Sequence, residues 1–478
     1  MKKYSCLAIL FCLLLSISAH SQSKRWTLEE SVSYALENNI TIKQTELDLQ
    51  LSDIGRKDAF GGFLPTVNAS ASHSWNVGLN QNITTGLLEN QTTQFTSAGV
   101  NMGVPIYNGL RLQNQLRRAK LAIIGSQYQL SKIKDDVALN VANAFLEILF
   151  NKENLKVQRE QLANNQRQMT RTDELVNAGS IPRGDLMDMR ATVATSQQAV
   201  VNAENSLLIS KLSLAQLLQL EDFKDFDVAE VDYELTESPT MLQTPETIFE
   251  KAKEERMEIK IARTNLELAE RDVKIARGAL QPNLVGFYSF STRAAYSDRL
   301  VNVIQDPDNP TTVIGVVEGT NQNVLQPNFV PVLGSPLPLF EQFDENKGHS
   351  FGFQLNIPIL NGFSARNNVE RSRVALERSR ILMSQAELDL ERNVYQAFTD
   401  AKGALNAYES AVAALEARRE AFNYATEKYA VGMMNAFDFN QAQTLQTNAE
   451  SEVIRAKYEY IFRVKVVEFY FGIPIIQK

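Results

Sequence analysis

The sequence repeats itself at a constant spacing, and this duplication constrains the fold more than any other feature of the chain. Two six-residue segments and one pair of single residues recur 253 positions later without a gap. They are 104–109 (VPIYNG) with 357–362 (IPILNG), 140–145 (NVANAF) with 393–398 (NVYQAF), and Gly179 and Asp185 with Gly432 and Asp438. Matches spread this far at one offset indicate two copies of one structural unit within 478 residues.

The two repeats differ in length on their N-terminal side. There the offset falls to 217, because FLP at 63–65 aligns with LQP at 280–282. The second repeat therefore carries 36 extra residues before Pro358. This insertion holds six of the 14 prolines, and no lysine or arginine occurs between Arg299 and Lys347. We expect an ordered or semi-ordered surface loop at about 300–349.

Apolar residues alternate with polar or small residues in two segments of each repeat. The segments are 67–76 and 99–106, then 284–291 and 352–359, of which 284–291 is the least regular. A period of two predicts strands with one apolar face. Alternation over roughly ten residues, with aromatic residues nearby, suits a lipid-facing barrel wall around a wet lumen. A half-buried sheet of a soluble domain is the alternative.

After each Asn-Gly junction the apolar period becomes seven, with the same positions used in both repeats. They are Leu116, Ile123, Leu130, Val137 and Ala144, matched by Val369, Leu376, Met383, Leu390 and Ala397. This spacing predicts helices packed side by side with coiled-coil geometry. No proline interrupts 110–177, so a helix there is about 100 Å long. A return helix is predicted from Asp185 towards Leu220, and another from about Asp438 to Phe471.

The predicted fold class is mainly α with a β-barrel part, in which a strand pair and a long antiparallel coiled-coil hairpin occur twice. Four strands per chain cannot close a barrel, and an open sheet edge cannot face lipid. Two chains supply eight strands and a filled interior, whereas three supply twelve and leave a lumen. We therefore predict a homotrimer with a 12-stranded barrel, whose helices form a long hollow α-barrel.

These changes of period predict a division of the chain. Residues 1–21 are a signal peptide, 22–64 the first N-terminal helices, 65–107 barrel strands, and 108–220 the first helical hairpin. The acid-rich segment 221–243 is predicted to be a solvated connector. Residues 244–281 are the helices of the second repeat, 282–360 its barrel strands with the long loop, and 361–478 its hairpin and C-terminal tail.

The N-terminus has the layout of a secretory signal peptide, with Lys2 and Lys3, an apolar run from Leu7 to Ile17, and small residues before Gln22. A membrane anchor, the alternative, needs about 18 apolar residues, and this run is shorter. Removal of 1–21 takes away both cysteines, so we expect neither disulfides nor thiol chemistry. No later apolar run is long enough for a helical span. The net charge of −8 argues against nucleic acid as a partner.

No motif of a catalytic or metal site occurs in the sequence. His73 and His349 are isolated, without His-x-x-x-His or acid-rich ligand spacing around them. A Gly-rich phosphate loop and a Gly-x-Ser-x-Gly elbow are also missing. We therefore predict no enzyme activity, no metal site and no cofactor.

Two sets of residues resemble the TolC-like outer membrane efflux protein (outer membrane factor) family. One is the Pro-x-x-Asn-Gly junction before each long helix, and the other is Tyr429-Ala-Val-Gly432-Met-Met-Asn-Ala-Phe-Asp438-Phe-Asn-Gln-Ala-Gln443. The latter is similar to the family pattern Tyr-x-x-Gly-x-x-x-x-x-Asp-Val-Leu-x-Ala. The resemblance covers the whole mature chain. It implies a trimeric exit duct in the outer membrane of a Gram-negative bacterium, with its helices forming a tunnel in the periplasm.

The resemblance also implies residues that gate the entrance of such a duct. By position, Tyr429 and Asp185 correspond to a linked tyrosine and aspartate, and Asp438 to a ring of aspartates at the narrowest point. The family's arginine and second aspartate are Met434 and Gln441 here. We therefore expect fewer polar links at this entrance, and whether it is closed at rest stays open.

Asp188 is the candidate replacement for the missing acid. Asp185 and Asp438 also have a simpler interpretation, because an acid in the first turn of a helix complements the helix dipole. Capping and gating do not exclude each other. The expected adaptor-docking tips are Ala178, Gly179 and Ser180 in the first repeat and Val431, Gly432 and Met433 in the second.

The resemblance implies the partners of the duct as well. They are a periplasmic adaptor (membrane fusion protein), through it an inner membrane pump, and the lipid of the outer membrane. The duct is then passive and opens when the adaptor docks, in an efflux or type I secretion system. Drugs, metals and proteins remain open as cargo. Two alternatives are a periplasmic coiled-coil adaptor or scaffold, and a passive porin without a pump.

Overall fold

The structure is a computed structural model, and it describes residues 25–81, 86–221, 225–230 and 238–475. The predicted signal peptide and part of the predicted connector lie outside the described residues. Helices account for most of the described chain and strands for a smaller part, which confirms the predicted fold class. Within these ranges no helix combines the length and the apolar character that a membrane span requires.

The first repeat runs through two short helices, a strand pair and a long helical hairpin. Its elements are β1 (Arg25–Trp26), α1 (Leu28–Asn38), α2 (Ile40–Gly61), β2 (Thr66–Gln81), β3 (Leu88–Tyr107), α3 (Arg111–Asn177) and α4 (Arg183–Leu218). Thr27 begins α1 with a capping box, in which its side chain and that of Glu30 each bond the other's backbone N–H.

The second repeat has the same order, interrupted by the insertion. Its elements are β4 (Asp227–Val228), a 3-10 helix (Pro239–Leu242), α5 (Pro245–Glu255), α6 (Met257–Gly278), β5 (Asn283–Ala295), β6 (Arg299–Gln305), β7 (Thr311–Val316), β8 (Asn323–Pro327), β9 (Phe329–Gly334), α7 (Leu339–Glu345), β10 (Gly348–Asn356), α8 (Ser364–Ala430) and α9 (Ala436–Tyr470). The long helices α3 and α8 have 67 residues each.

The chain divides into two compact units. The first unit comprises the described residues within 25–54, 119–270 and 374–475. The second comprises those within 55–118 and 271–373. The first unit holds the hydrophobic cores. Equivalent positions of the two repeats are buried there, namely Ala35 and Ala252, Ile42 and Ile259, and Val137 and Leu390.

The second unit holds a four-stranded antiparallel sheet in the order β10-β5-β3-β2. Pairing of β3 with β5 joins the two repeats, while β2 and β10 form the edges. The apolar side chains along β2 are on one face and are 60–80% exposed: Val67, Trp75, Val77 and Leu79. The sheet therefore presents an uncovered apolar face, as the alternation predicts.

The last strand is shorter than predicted. Ile357 and Ile359 were expected to continue it, but β10 ends at Asn356. The reason is Pro358, which has no N–H for a strand ladder.

Both strand-to-helix junctions adopt the same rare backbone. Gly109 and Leu110 have φ of 68° and 59°, and Gly362 and Phe363 have φ of 59° and 63°. At Gly109 a Cβ atom would also collide with the carbonyl oxygen of Gly278. The Asn-Gly motif found in the sequence therefore marks a turn that needs glycine.

The prediction of a solvated connector is wrong for 226–228. Phe226 and Val228 are buried in the core of the first repeat, and β4 pairs with β1 in parallel. Asp227 lies between Lys152 and Lys211, whose Nζ atoms are 2.8 and 2.9 Å from its Oδ1. Burial opposes ionisation of Asp227, but the hydrogen bonds and charges of the two lysines together outweigh burial and lower its pKa.

The insertion is ordered and contains regular structure. Strands β6 and β9 pair with each other, and so do β7 and β8. Helix α7 is attached to the end of β5 through Gln342, whose side chain exchanges hydrogen bonds of 2.9 and 3.0 Å with the backbone of Ala295. The prolines counted in the sequence thus lie in and between short exposed strands.

Candidate functional site at the helical tips

Each long hairpin turns at a glycine in the left-handed region. At the end of α3, Gly179 has φ of 73°, its N–H donates to Val176 O (3.0 Å), and Ser180 N–H donates to Leu175 O (2.9 Å). These two bonds form a Schellman motif, which satisfies the last carbonyl groups of a helix. Ala178, Gly179 and Ser180 are all exposed.

The second tip has the same geometry. Gly432 has φ of 75°, its N–H donates to Tyr429 O (3.1 Å), and Met433 N–H donates to Lys428 O (2.8 Å). Val431 and Met433 are 71% and 78% exposed. Both predicted tips are therefore equivalent exposed turns, but only the second carries large apolar side chains.

The return helices begin differently. Helix α4 follows Pro182 and has no side-chain cap, with Asp185 half-buried in its first turn. Helix α9 is capped by Asn435, whose Oδ1 accepts from Asp438 N–H (2.8 Å) and whose Nδ2 donates to Asp438 Oδ2 (2.9 Å). The contacts around Asp438 thus match the capping interpretation, while its gating role stays a prediction.

Tyr429 contacts an aromatic partner that the sequence analysis missed. Its ring stacks on the ring of Phe439, with centroids 4.6 Å apart and planes 19° apart. Phe422 lies against the ring of Phe439, with centroids 5.5 Å apart. Within the described part of the chain, no hydrogen bond joins Tyr429 to Asp185. The single chain does not form the predicted link, which stays a prediction for the assembled entrance.

A groove of about 700 Å³ lies beside the tips, between the first hairpin and α9. Asp188 and Gln441 both line it, so the structure brings together the candidate acid and the position where the family's second aspartate is absent. Both side chains are exposed. Asp185 and Asp438 are not part of the groove lining.

Neutral polar side chains connect the helices along this groove, and we call them the polar seam. Its hydrogen bonds run from Thr447 Oγ1 to Gln161 Oε1 (2.8 Å), from Asn165 Nδ2 to Ser196 Oγ (2.6 Å), and from Asn440 Nδ2 to Thr192 Oγ1 (3.3 Å). Asn165 is 1% exposed. Sequence analysis missed the seam because amides and hydroxyls on a helix look like surface residues, although a break in the apolar heptads was a usable signal.

The seam is incompletely satisfied. Among the described residues, three buried oxygens on the helices that form the seam have no hydrogen-bond partner: Asn440 Oδ1 in the seam itself, Thr172 Oγ1 on α3 and Gln443 Oε1 on α9. Each such atom costs about 1–3 kcal/mol relative to a satisfied one. The helices are therefore held more weakly here than in an apolar core.

A buried arginine lies between α5 and α6 in the same unit. Arg256 Nε donates to Glu258 Oε1 (3.2 Å), and its guanidinium is 3.8 Å from the ring centroid of Phe469. Burial raises the pKa of Asp135 on α3, and the charge of Arg256 offsets this only in part. In the described ranges, no cluster of three or more His, Cys, Asp or Glu side chains has the arrangement of a metal site.

Comparison with known sequences identifies relatives of both repeats. The profile of the family described as outer membrane efflux protein matches residues 32–219 and 248–464. The outer membrane protein TolC of Vibrio cholerae is 23% identical over 401 residues, covering 80% of this chain and 79% of that protein. TolC of Escherichia coli is 22% identical over 209 residues, covering 43% and 42%.

Solved structures share the fold over most of the chain. The CmeC outer membrane channel of Campylobacter jejuni superimposes with a TM-score of 0.75 at 19% identity, covering 93% of this chain and 85% of that chain. The outer membrane protein VceC of Vibrio cholerae gives a TM-score of 0.73 at 12% identity, covering 93% and 96%. At these identities the similarity shows the common fold.

Proposed function

The chain belongs to the outer membrane efflux protein family, and from this premise we propose that it is the trimeric exit duct of a tripartite efflux or type I secretion system. Members of the family are channel proteins of the Gram-negative outer membrane that extend into the periplasm, and they are not enzymes. The observation that supports the finer proposal is the pair of long hairpins that end in equivalent exposed turns.

The sheet supports the proposed trimer. It has two edge strands, β2 and β10, and an exposed apolar face. Pairing of β2 with β10 of the next copy removes both edges, and three copies give the twelve strands that leave a lumen. In this proposal the four strands of the sheet, which lie within 65–107 and 282–360, face the outer membrane lipid, and the hairpins in 108–220 and 361–478 form the tunnel.

The second tip is the proposed anchor for a periplasmic adaptor. Val431, Met433 and Phe437 are 71%, 78% and 68% exposed, and large apolar side chains exposed together mark interaction sites. The first tip, at 178–180, offers small side chains that allow close approach of a partner backbone. The adaptor connects the passive duct to an inner membrane pump, which supplies the energy and selects the cargo.

Cross-linking from the second tip tests the docking proposal. Both cysteines of the chain lie in the predicted signal peptide, so Met433→Cys introduces one thiol into the mature protein. We expect cross-linking in intact cells to capture an adaptor, identified by mass spectrometry. Leu382→Cys on α8, 55% exposed but 51 residues from Met433 in sequence, is the control that captures no adaptor. Capture of nothing but other copies of the chain contradicts docking at this tip.

Asp438, with Asp185, Asp188 and Tyr429, is the proposed gate. Three copies of Asp438 brought together by symmetry repel one another and attract cations. We expect Asp438→Ala to raise single-channel conductance and to weaken cation selectivity in planar bilayers. Asn435→Ala removes the cap of α9 but keeps the charge of Asp438. An unchanged current in Asp438→Ala, or an equal change in Asn435→Ala, contradicts the gating role.

A further inference from the structure

The insertion projects a thin apolar structure from the sheet, and we call residues 299–334 the arm. It consists of the two ribbons β6–β9 and β7–β8. None of its residues is buried in the single chain. Two-stranded ribbons are marginally stable in water without a further layer against them. The arm therefore needs a cover that the chain itself does not provide.

Both faces of each ribbon are apolar. Val303 and Ile304 are neighbours in the regular part of β6, and Val324 and Leu325 are neighbours in β8, with exposed fractions between 40% and 54%. Successive side chains of a strand point to opposite faces of the sheet. A cover on one side thus leaves the other side unsatisfied, so the arm needs two neighbours.

The charge of the arm restricts what those neighbours are. Within the arm, the only ionisable side chains after Arg299 are Asp306, Asp308 and Glu318, which lie outside the four strands. The strands beyond Arg299 present uncharged surface. A membrane surface of anionic headgroups attracts basic segments and so disfavours this arm. An uncharged apolar surface, such as another copy of the same ribbon, is the matching partner.

The position of the arm places it next to such copies. It connects β5 to the edge strand β10, at the end of these strands that lies away from their connections to α6 and α8. In the trimer proposed above, on which this inference rests, β10 pairs with the neighbouring copy. In a closed ring of three, each subunit contacts its two neighbours through two different surfaces.

We propose that the three arms of a trimer pack against one another through their two apolar faces, forming a collar at the outer mouth of the duct. The occupant of each exposed face is the arm of an adjacent copy. The insertion then holds the ring together at the mouth and narrows the exit.

Cross-linking from the arm tests the collar in the full-length trimer. A single cysteine at Ile304→Cys or Val313→Cys is treated in intact cells with a short bis-maleimide. We expect covalent dimers and trimers on denaturing gels from both positions. Val77→Cys on β2, 80% exposed, is the matched control. Its three copies are separated by four strands, about 19 Å along the barrel wall, and give no cross-link.

The outcomes separate the collar from the proposed function. Native mass measurement of the purified protein reports the trimer independently of the arm, and a monomer contradicts the proposed duct. A trimer without cross-links at either arm position overturns the collar alone. Cross-links from Ile304→Cys to a different protein, or quenching of a fluorophore at this position by brominated lipid, mean that a partner or the membrane covers the arm, and also overturn it.

Discussion

The helices α3 and α4 pack in two different ways along their length. Around Phe145 they form an apolar core in which large side chains are fully buried. Around Asn165, nearer the tip, buried amides and hydroxyls form the polar seam with α9. An apolar core loses contacts without compensation when helices separate, whereas exposed amides bond to water. We infer that the hairpins are anchored at the core and yield at the seam.

The strongest test of this comparison is a cavity in the core. Phe145→Ala removes a side chain with 0% exposure, and a change of this kind costs about 3–5 kcal/mol. We expect a clear drop in melting temperature, followed by the helical circular dichroism signal in detergent. Phe398→Ala, at the half-buried equivalent position of the second repeat, is the control. A larger loss in Phe398→Ala contradicts the assignment of the core.

Conversion of the seam to an apolar contact should sharpen the contrast. Gln443 is 5% exposed and its Oε1 has no partner among the described residues. Gln443→Leu removes this atom, and we expect the free energy of unfolding to rise by about 1–3 kcal/mol. Because the seam then resists separation, conductance and export should fall. The control is Gln446→Leu, at a half-buried position of α9 outside the groove lining, which leaves conductance and export unchanged. A gain in stability without a loss of transport contradicts the idea that the helices separate at the seam when the duct opens.

The smallest expected effect concerns Asp135. Burial raises the pKa of Asp135 above its value in the unfolded chain, which means that the fold favours the neutral carboxyl group. The stabilisation is complete below about pH 4 and is lost as the pH rises through the folded pKa, where the buried group must ionise. We expect Asp135→Asn to melt at a higher temperature than the parent at pH 7, with the difference vanishing in acid. Asp136→Asn breaks an ion pair with Lys132 (2.6 Å) and should not stabilise. A difference independent of pH contradicts this account.

The family, the mainly helical fold class with its smaller β part, the outer membrane localisation and the lack of enzyme activity were all predicted from the sequence and are confirmed. They were predictable because the internal repeat, the heptads, the glycine turns and the motifs that resemble the family are all visible in the sequence without knowledge of tertiary contacts. Gly179 and Gly432, for example, are glycines because both tips require φ > 0. The signal peptide, the trimer and the gate stay predictions.

What sequence reasoning missed depends on distant contacts. Asp227 looks like a solvated acid until Lys152 and Lys211 are placed beside it by two different helices. The apolar residues Phe226 and Val228 on either side of it were the available signal. Asn165 and Thr447 look like surface residues until the groove is formed. Pairing within the insertion is equally invisible, because its strands have no close counterpart in the first repeat.

The two alternatives to a duct fit the structure poorly. A coiled-coil adaptor would have a single hairpin beside a compact β domain, whereas this chain has two hairpins. A porin needs many more strands than the four of the principal sheet.

The equal length of α3 and α8 has a consequence for how such a chain evolves. Both have 67 residues, and the offset of 253 holds from the Asn-Gly junctions through both tips. A deletion in one helix shifts one turn relative to its counterpart, so it is tolerated only when the other helix loses the same number of residues. On the opposite side of the strands, one repeat has accepted 36 residues that the other lacks. Insertions and deletions should therefore be paired among relatives in the hairpins and unpaired in the arm.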